Sequence, residues 1–454
     1  MESRTRLIKE GNLVKAILIL AVPVMINNFI LSIYNMADAF WLARFGIPEV
    51  AAISYVWPIN HIFLSVGIGI AIAATSLISR EIGKNNLDRA TNYSLHLLVF
   101  GIIISFLLAL IGFFSTPIIL KLLNARVQIR HLSKIYLQIT FIGLPFIVAF
   151  NCINAILSAQ GDTIHGTLSI FISSITNIIL DPIFIFDKIP GTKISGLNMG
   201  LKGAAVATVI SQIVLLILGV LFLKRHSSLN KLEFFNYNFN YIKDTIKISV
   251  PAIIGHAGST FGFIILNYFV ESYGTDTIAA FGIINKFTSM IMEPSMGIGI
   301  ALITIIGQNI GAKNYKRTEK AFYTATMICL CITIFFGTIL YILRYEIVKF
   351  LLAIDYSHPI FKVASICLFF NIVTIPLMGM FSIYLGVFQG SGYTKYVMLM
   401  EILRLLIIRI PLIMFLQKYT DLGSTSIWLS VGISNTLIVI TGHFLYIKRK
   451  WLYN

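Results

Sequence analysis

Charged residues are scarce. Asp, Glu, Lys and Arg make up 12% of the 454 residues, against 57% that are apolar. A soluble domain carries about twice that share of charge, so this chain could not cover a water-facing surface of its size. Cysteine is nearly absent. The four present (Cys152, Cys329, Cys331 and Cys367) lie inside apolar stretches, without metal-type spacing or a secreted disulfide framework. Acids are few, 19 against 35 Lys and Arg, for a net charge of +16. That balance would suggest nucleic acid in a soluble protein. Here the basic residues cluster at the ends of apolar runs, as membrane insertion requires, so no nucleic-acid partner is expected. The chain has no GxxxxGK[ST] loop, which argues against ATP as an energy source. A reactive His pair is also missing, and the loop acid of QGDT (160–163) reads as a turn, so neither an enzyme nor a cofactor is expected.

What the chain does have is apolar runs of bilayer-crossing length, which need roughly 20 residues each. Twelve spans can be drawn, at about 16–43, 50–79, 91–118, 131–157, 163–186, 201–223, 245–271, 277–306, 319–343, 360–388, 396–417 and 424–447. Lipid leaves only helices or closed barrels, and alternating short strands are missing. The fold class is therefore an all-α integral membrane protein. The run after the basic Met1 to Lys15 is too long for a signal peptide, so the first helix is expected to be retained. Lys and Arg are richer in the tails and in the loops 80–90, 224–247 and 312–320 than in the opposite loops. This places both termini in the cytoplasm, in a multi-pass protein of the inner (cytoplasmic) membrane.

The halves repeat. Pro23 in LAVPVMI returns as Pro251 in ISVPAII, 228 residues on. Ala51-Ala52 and Ala279-Ala280, Gly83 and Gly311, and Arg89 and Arg317 keep the same offset; Gln160-Gly161 and Gln389-Gly390, and Pro182 and Pro411, keep 229. Six spans per half is an even number, so both halves share one orientation, related by an axis along the membrane normal. The expected organisation is an N-terminal six-helix lobe (1–223), a polar cytoplasmic linker (224–247) and a C-terminal six-helix lobe (248–454). A pseudo-symmetric pair within one chain needs no partner, so a monomer is expected. A cavity between or within two such bundles is what a transporter needs.

The repeat also isolates the unusual residues. Asp38 corresponds to Leu266, and Asp181 to Ile410, so the scaffold does without either acid. An acid near the bilayer middle costs roughly 2.5–3.5 kcal/mol on insertion scales, which calls for a function. Asn177 lies four residues before Asp181, and Tyr34 and Asn35 lie four and three before Asp38, on shared helical faces. With Asn151, Asn154 and Thr208 they would line a polar pocket in the first bundle, suited to a hard monovalent cation or a proton. Taken alone, Asn151, Asn154 and Thr208 could equally be interhelical hydrogen-bond glue. Glu293 is a third intramembrane acid, paired with Lys286 two turns away or facing a cationic substrate. Glu401 and Arg404 are spaced to pair locally. His61, His165 and His256 look isolated. Pro23 is the best hinge candidate, because bending there would move Asp38.

These residues resemble the multidrug and toxic compound extrusion (MATE) transporters. The likeness rests on Pro23 with Asp38, NIILDPIFIF (177–186), GAAVATVIS (203–211), IGQNIGAKNYKR (306–317) and QGDT with QGSGYT, and it covers nearly the whole chain. It looks closest to the DinF-like branch. The resemblance implies two six-helix lobes, alternating access, and export of cationic or amphiphilic compounds by proton or sodium antiport. It also implies a first-lobe cation site, for H+ or Na+, at Asp38, Asn177, Asp181 and Thr208, with Tyr136, Asn151 and Asn154 nearby. Span ten has no acid and span seven none before Glu271, so no second-lobe sodium site is expected. A flippase for lipid-linked saccharides is the alternative, but it would need a strongly cationic cavity.

Overall fold

A computed structural model describes residues 2–122, 127–229 and 238–452. The described residues are helical apart from short connections and one isolated antiparallel bridge, Lys188 with Ser195. Eleven helices among them are long and apolar enough to cross a membrane: α2 (Leu13–Phe45), α3 (Ile47–Gly83), α4 (Leu87–Leu122), α5 (Val127–Ala159), α6 (Ile164–Ile185), α7 (Gly200–His226), α8 (Phe239–Glu271), α9 (Thr275–Gly311), α10 (Tyr315–Leu352), α11 (Pro359–Gly390) and α14 (Thr425–Ile447). The remaining expected span, 396–417, is assembled from α12 (Thr394–Ile402), a π-helical segment (Leu403–Arg409) and α13 (Ile410–Tyr419). Its three charges, Glu401, Arg404 and Arg409, sit in or beside the π segment. A short helix, α1 (Glu2–Glu10), precedes the first span where only a polar tail was expected. Part of the expected linker, residues 230–237, lies outside the described residues.

The chain divides into two compact units, Met1–Thr5 with Ile26–Ile253 and Arg6–Met25 with Ile254–Asn454. The division falls inside α2 and α8, so each of these helices gives its first part to one unit and its remainder to the other. In the first unit, α5 packs against α3, α4 and α7, and α6 against α7. In the second, α11 packs against α9, α10 and α14. The pairings repeat, with α11 in the place of α5. At Gly299 and Gly386 the α9 and α11 backbones come so close that a Cβ on Gly386 would collide with the Gly299 carbonyl. Small residues permit such approach where lipid supplies no hydrophobic drive between helices.

The repeat extends to backbone conformation. Asn85 and Lys313, 228 residues apart, both adopt left-handed φ values, 59° and 57°. Each ends a helix in the same way: Asn86 N–H donates to the Glu81 carbonyl and Asn314 N–H to that of Asn309. The side chains of Asn86 and Asn314 then accept from the N–H of Arg89 and Arg317, capping α4 and α10. Outward faces are apolar: Phe114 and Phe350 are 73% and 84% exposed, positions that lipid covers at no cost.

Candidate functional site

The first unit contains a cavity of about 230 Å³ lined by residues of α2, α5, α6 and α7. Tyr34, Asn151, Asn154 and Thr208, all anticipated from sequence, line it, and none of its lining residues is basic. Asp38, Asn177, Asp181 and Tyr136 are not among its lining residues. Asn177 and Asp181 are fully buried and Tyr136 nearly so, whereas Asp38 is half-buried. Asp38 acts electrostatically on Asp181, and the charges of both acids reach Tyr34 and Tyr136. Thr208 stands beside both tyrosines and donates its own hydroxyl to the Ala204 carbonyl at 3.0 Å. One cluster therefore holds Tyr34, Asp38, Tyr136, Asn177, Asp181 and Thr208. Asn35 is exposed on α2 and Glu293 is half-buried on α9 in the second unit, and neither is among the residues that line the cavity.

Local sequence explains the placement. Asp181 and Pro182 lie one turn before the end of α6, where proline removes a backbone donor. The returning loop satisfies the end of the helix: Leu197 N–H donates to Ile183 O at 2.8 Å and Met199 N–H to Phe184 O at 2.9 Å. The duplicated positions in the second unit are apolar. Leu266 is buried in a hydrophobic core with Val270, Phe281 and Trp428.

The hydrogen-bond accounting of the cluster does not close. Both carboxylate oxygens of Asp181, Oδ1 of Asp38 and both amide atoms of Asn177 are buried with no hydrogen-bond partner among the described residues. Asn177 is near enough to Asp181 to act on its charge, yet falls short of hydrogen-bond geometry. Buried polar groups are normally paired, and leaving one unpaired costs about 1–3 kcal/mol. A set of orphaned acid and amide oxygens with a hydroxyl beside them is chemically fit to receive a proton or a sodium ion. The described residues hold no group of three or more His, Cys, Asp and Glu arranged for a transition metal.

Sequence reasoning missed other polar groups of the cavity. Asn27 and Gln212 line it, each with a buried side-chain oxygen that has no partner among the described residues, and Ser173, Ser174 and Ser211 line it too. Helical spacing was the available signal: Gln212 is one turn after Thr208, and Asn27 two turns before Tyr34. In the second unit Arg404 pairs with Glu401 at 3.1 Å, as their spacing suggested. Ser259 also donates to Glu401, and the buried Arg409 donates to Ser434 and Asn435 at 2.9 and 2.6 Å. His165, which looked isolated, stacks on His226 and contacts Asp162 at 2.7 Å. Burial alone would raise the Asp162 carboxyl, but hydrogen bonds from Arg4 and His165 and the charges of both outweigh it and hold the group below the usual carboxylate range.

The chain is similar to known proteins over nearly its full length. The MatE family model matches residues 23–183 and 251–415, one copy in each half of the repeat. The probable multidrug resistance protein YoeA of Bacillus subtilis (strain 168) is 24% identical over 94% of this chain and 93% of its own length. An FAD transporter of Shewanella oneidensis is 26% identical over 95% and 94%. A crystal structure of a MATE protein in complex with MaL6 superposes with a TM-score of 0.91, at 24% identity over 98% of both chains.

Proposed function

The chain belongs to the MatE family, whose members are transporters and not enzymes. From this premise we propose that it is a secondary active exporter of small amphiphilic or cationic compounds, driven by inward flow of protons or sodium ions. Multidrug names among its relatives support the substrate class. The observation that carries the coupling proposal is the unpartnered set at Asp38, Asn177 and Asp181 in the first unit, against Leu266 and Ile410 in the second.

In this reading Asp38 and Asp181 share the coupling cation, Asn177 and Thr208 supply further oxygens, and Tyr34 and Tyr136 shield the pocket. Asn151 and Asn154 face substrate in the cavity, which lacks basic groups and so favours cationic over pyrophosphate cargo. Asn35 and Glu293 contact substrate in other stages of the cycle. Cation entry bends α2 at Pro23, reshapes the first-lobe cavity and releases substrate outside. Two lobes, 1–223 and 248–454, alternate access about the linker 224–247. The protein works as a monomer in the cytoplasmic membrane with both termini inside. One charge crossing 100 mV supplies about 2.3 kcal/mol, enough for roughly fiftyfold accumulation.

The test is ethidium transport by the purified chain in liposomes, with a proton or a sodium gradient imposed separately. One of the two should drive uphill movement. If neither does, and ethidium only equilibrates, the exporter reading fails.

A further inference from the structure

A second crevice, unrelated to the cation cluster, lies in the second unit where α10 ends and α11 begins. Its volume is about 390 Å³, and its walls include Tyr341, Arg344, Tyr345, Phe361, Lys362 and Phe369. We propose that this crevice binds the headgroup of an anionic phospholipid, with Arg344 and Lys362 on the phosphate and the aromatic residues against the glycerol and first acyl carbons.

Four observations support the assignment. First, the crevice is lined by two cations and no acid, and neither Arg344 nor Lys362 has a carboxylate within ion-pair distance among the described residues. The nearby acids are engaged elsewhere, Asp355 with Lys349 at 3.4 Å and Glu346 with the Tyr356 hydroxyl at 2.5 Å. Second, Arg344 is held in place. It donates to the Tyr341 carbonyl at 2.8 Å and to the Tyr345 hydroxyl at 3.0 Å, and its guanidinium lies 4.4 and 4.2 Å from those two ring centroids. Both bonds are to neutral groups, so its charge remains available for a phosphate, which guanidinium recognises with paired donors.

Third, the position along the chain fits. Arg344 lies two turns from the end of α10 and Lys362 in the first turn of α11, so both sit at the ends of spanning-length helices, where basic and aromatic residues of membrane proteins meet headgroups. Buried Phe361 stacks with Tyr345 at 6.1 Å to form an aromatic floor, and the half-exposed Tyr341 and Phe369 lead from it onto the lipid-facing surface. Fourth, the scaffold does not require the charges. The residues 228 before Arg344 and 229 before Lys362 are Thr116 and Ser133, both fully buried. A merely structural pair of helix-end cations would not need to leave a lined crevice between them.

The test uses the purified full chain in detergent, with native mass spectrometry after adding phosphatidylglycerol or phosphatidylcholine. Phosphatidylglycerol should be retained in preference. The double variant Arg344→Gln/Lys362→Gln should bind it about thirtyfold more weakly, since each basic group near an anionic headgroup contributes a comparable increment. Lys349→Gln, on the same helix end but bound to Asp355, should bind as the parent does. An unchanged melting temperature for the double variant shows that folding is intact; if it melts early, the single Lys362→Gln variant, changed at an exposed position, replaces it in the comparison. Competition by millimolar inorganic phosphate without any lipid preference would point to a free anion and overturn the proposal. So would equal retention of phosphatidylcholine, or an equal loss in Lys349→Gln.

Discussion

Asp181→Asn keeps the shape of a fully buried side chain and removes its charge. Both oxygens of Asp181 lack partners among the described residues, and none of the described residues lining the cavity of the first unit is basic. An unpartnered buried polar group costs about 1–3 kcal/mol, and an ionised acid at mid-membrane roughly 2.5–3.5 kcal/mol. The asparagine retains part of the first cost and sheds the second, so the variant should be more stable than the parent by about 1–3 kcal/mol when no coupling cation is bound. Cation binding offsets the same cost in the parent: at a hundred times its dissociation constant a ligand stabilises by about 2.7 kcal/mol. Melting curves in detergent, in choline against sodium buffer and over a range of pH, separate the two. The parent should melt later as one cation is added; Asp181→Asn should start higher and stay flat. Asp181→Ile, which installs the residue type of the other half of the repeat, should behave alike. A variant that melts below the parent in choline at a pH high enough to leave Asp181 without a proton, or keeps the full cation response, would show that Asp181 is paired or peripheral and would refute the reasoning.

Other outcomes follow from particular contacts. Pro23→Ala restores a backbone donor inside α2 and should slow ethidium efflux by about tenfold without lowering the melting temperature, given the roughly 3 kcal/mol that separates proline from good helix formers. Gly112→Ala drives a Cβ into the ring of buried Phe141, about 2.6 Å away, and should destabilise the fold by about 1–3 kcal/mol in a melt. Gly143→Ala places a Cβ against the Gln212 carboxamide, so it should alter the KM for efflux more than the maximal rate. Asp162→Asn breaks the contact with Arg4 at 2.8 Å and should speed tryptic cutting within α1. Because the Asp162 carboxyl is held below its ordinary value, its contribution is present above about pH 4 and is lost only as pH falls through the lowered value. Protection of α1 should therefore persist at pH 5 and fade below pH 4.

Membrane spans and the repeat were legible because lipid imposes one rule on backbone and side chain alike, and the duplicated Pro, Gly and Gln-Gly positions kept their spacing. Asp38 and Asp181 stood out because the second half supplied apolar counterparts. The π segment was not legible: nothing in LRLLIIR announces a change of helical period, and the segment ends at the buried Arg409, which donates to Ser434 and Asn435 on α14. Partners across loops were equally hidden. Arg4 with Asp162, and His165 on His226, are brought together by chain paths that no local period encodes. The same holds for Arg317, whose guanidinium takes the carbonyls of Leu7, Ile8 and Gly11 at the end of α1.

The most direct test of ion capture at the two acids is uphill ethidium transport into liposomes carrying the double variant Asp38→Asn/Asp181→Asn, beside the parent and under whichever ion gradient drives the parent. The parent should concentrate ethidium, and the double variant should let it only equilibrate, at a rate that shows the substrate path intact. Accumulation by the double variant to the level of the parent would contradict the assignment.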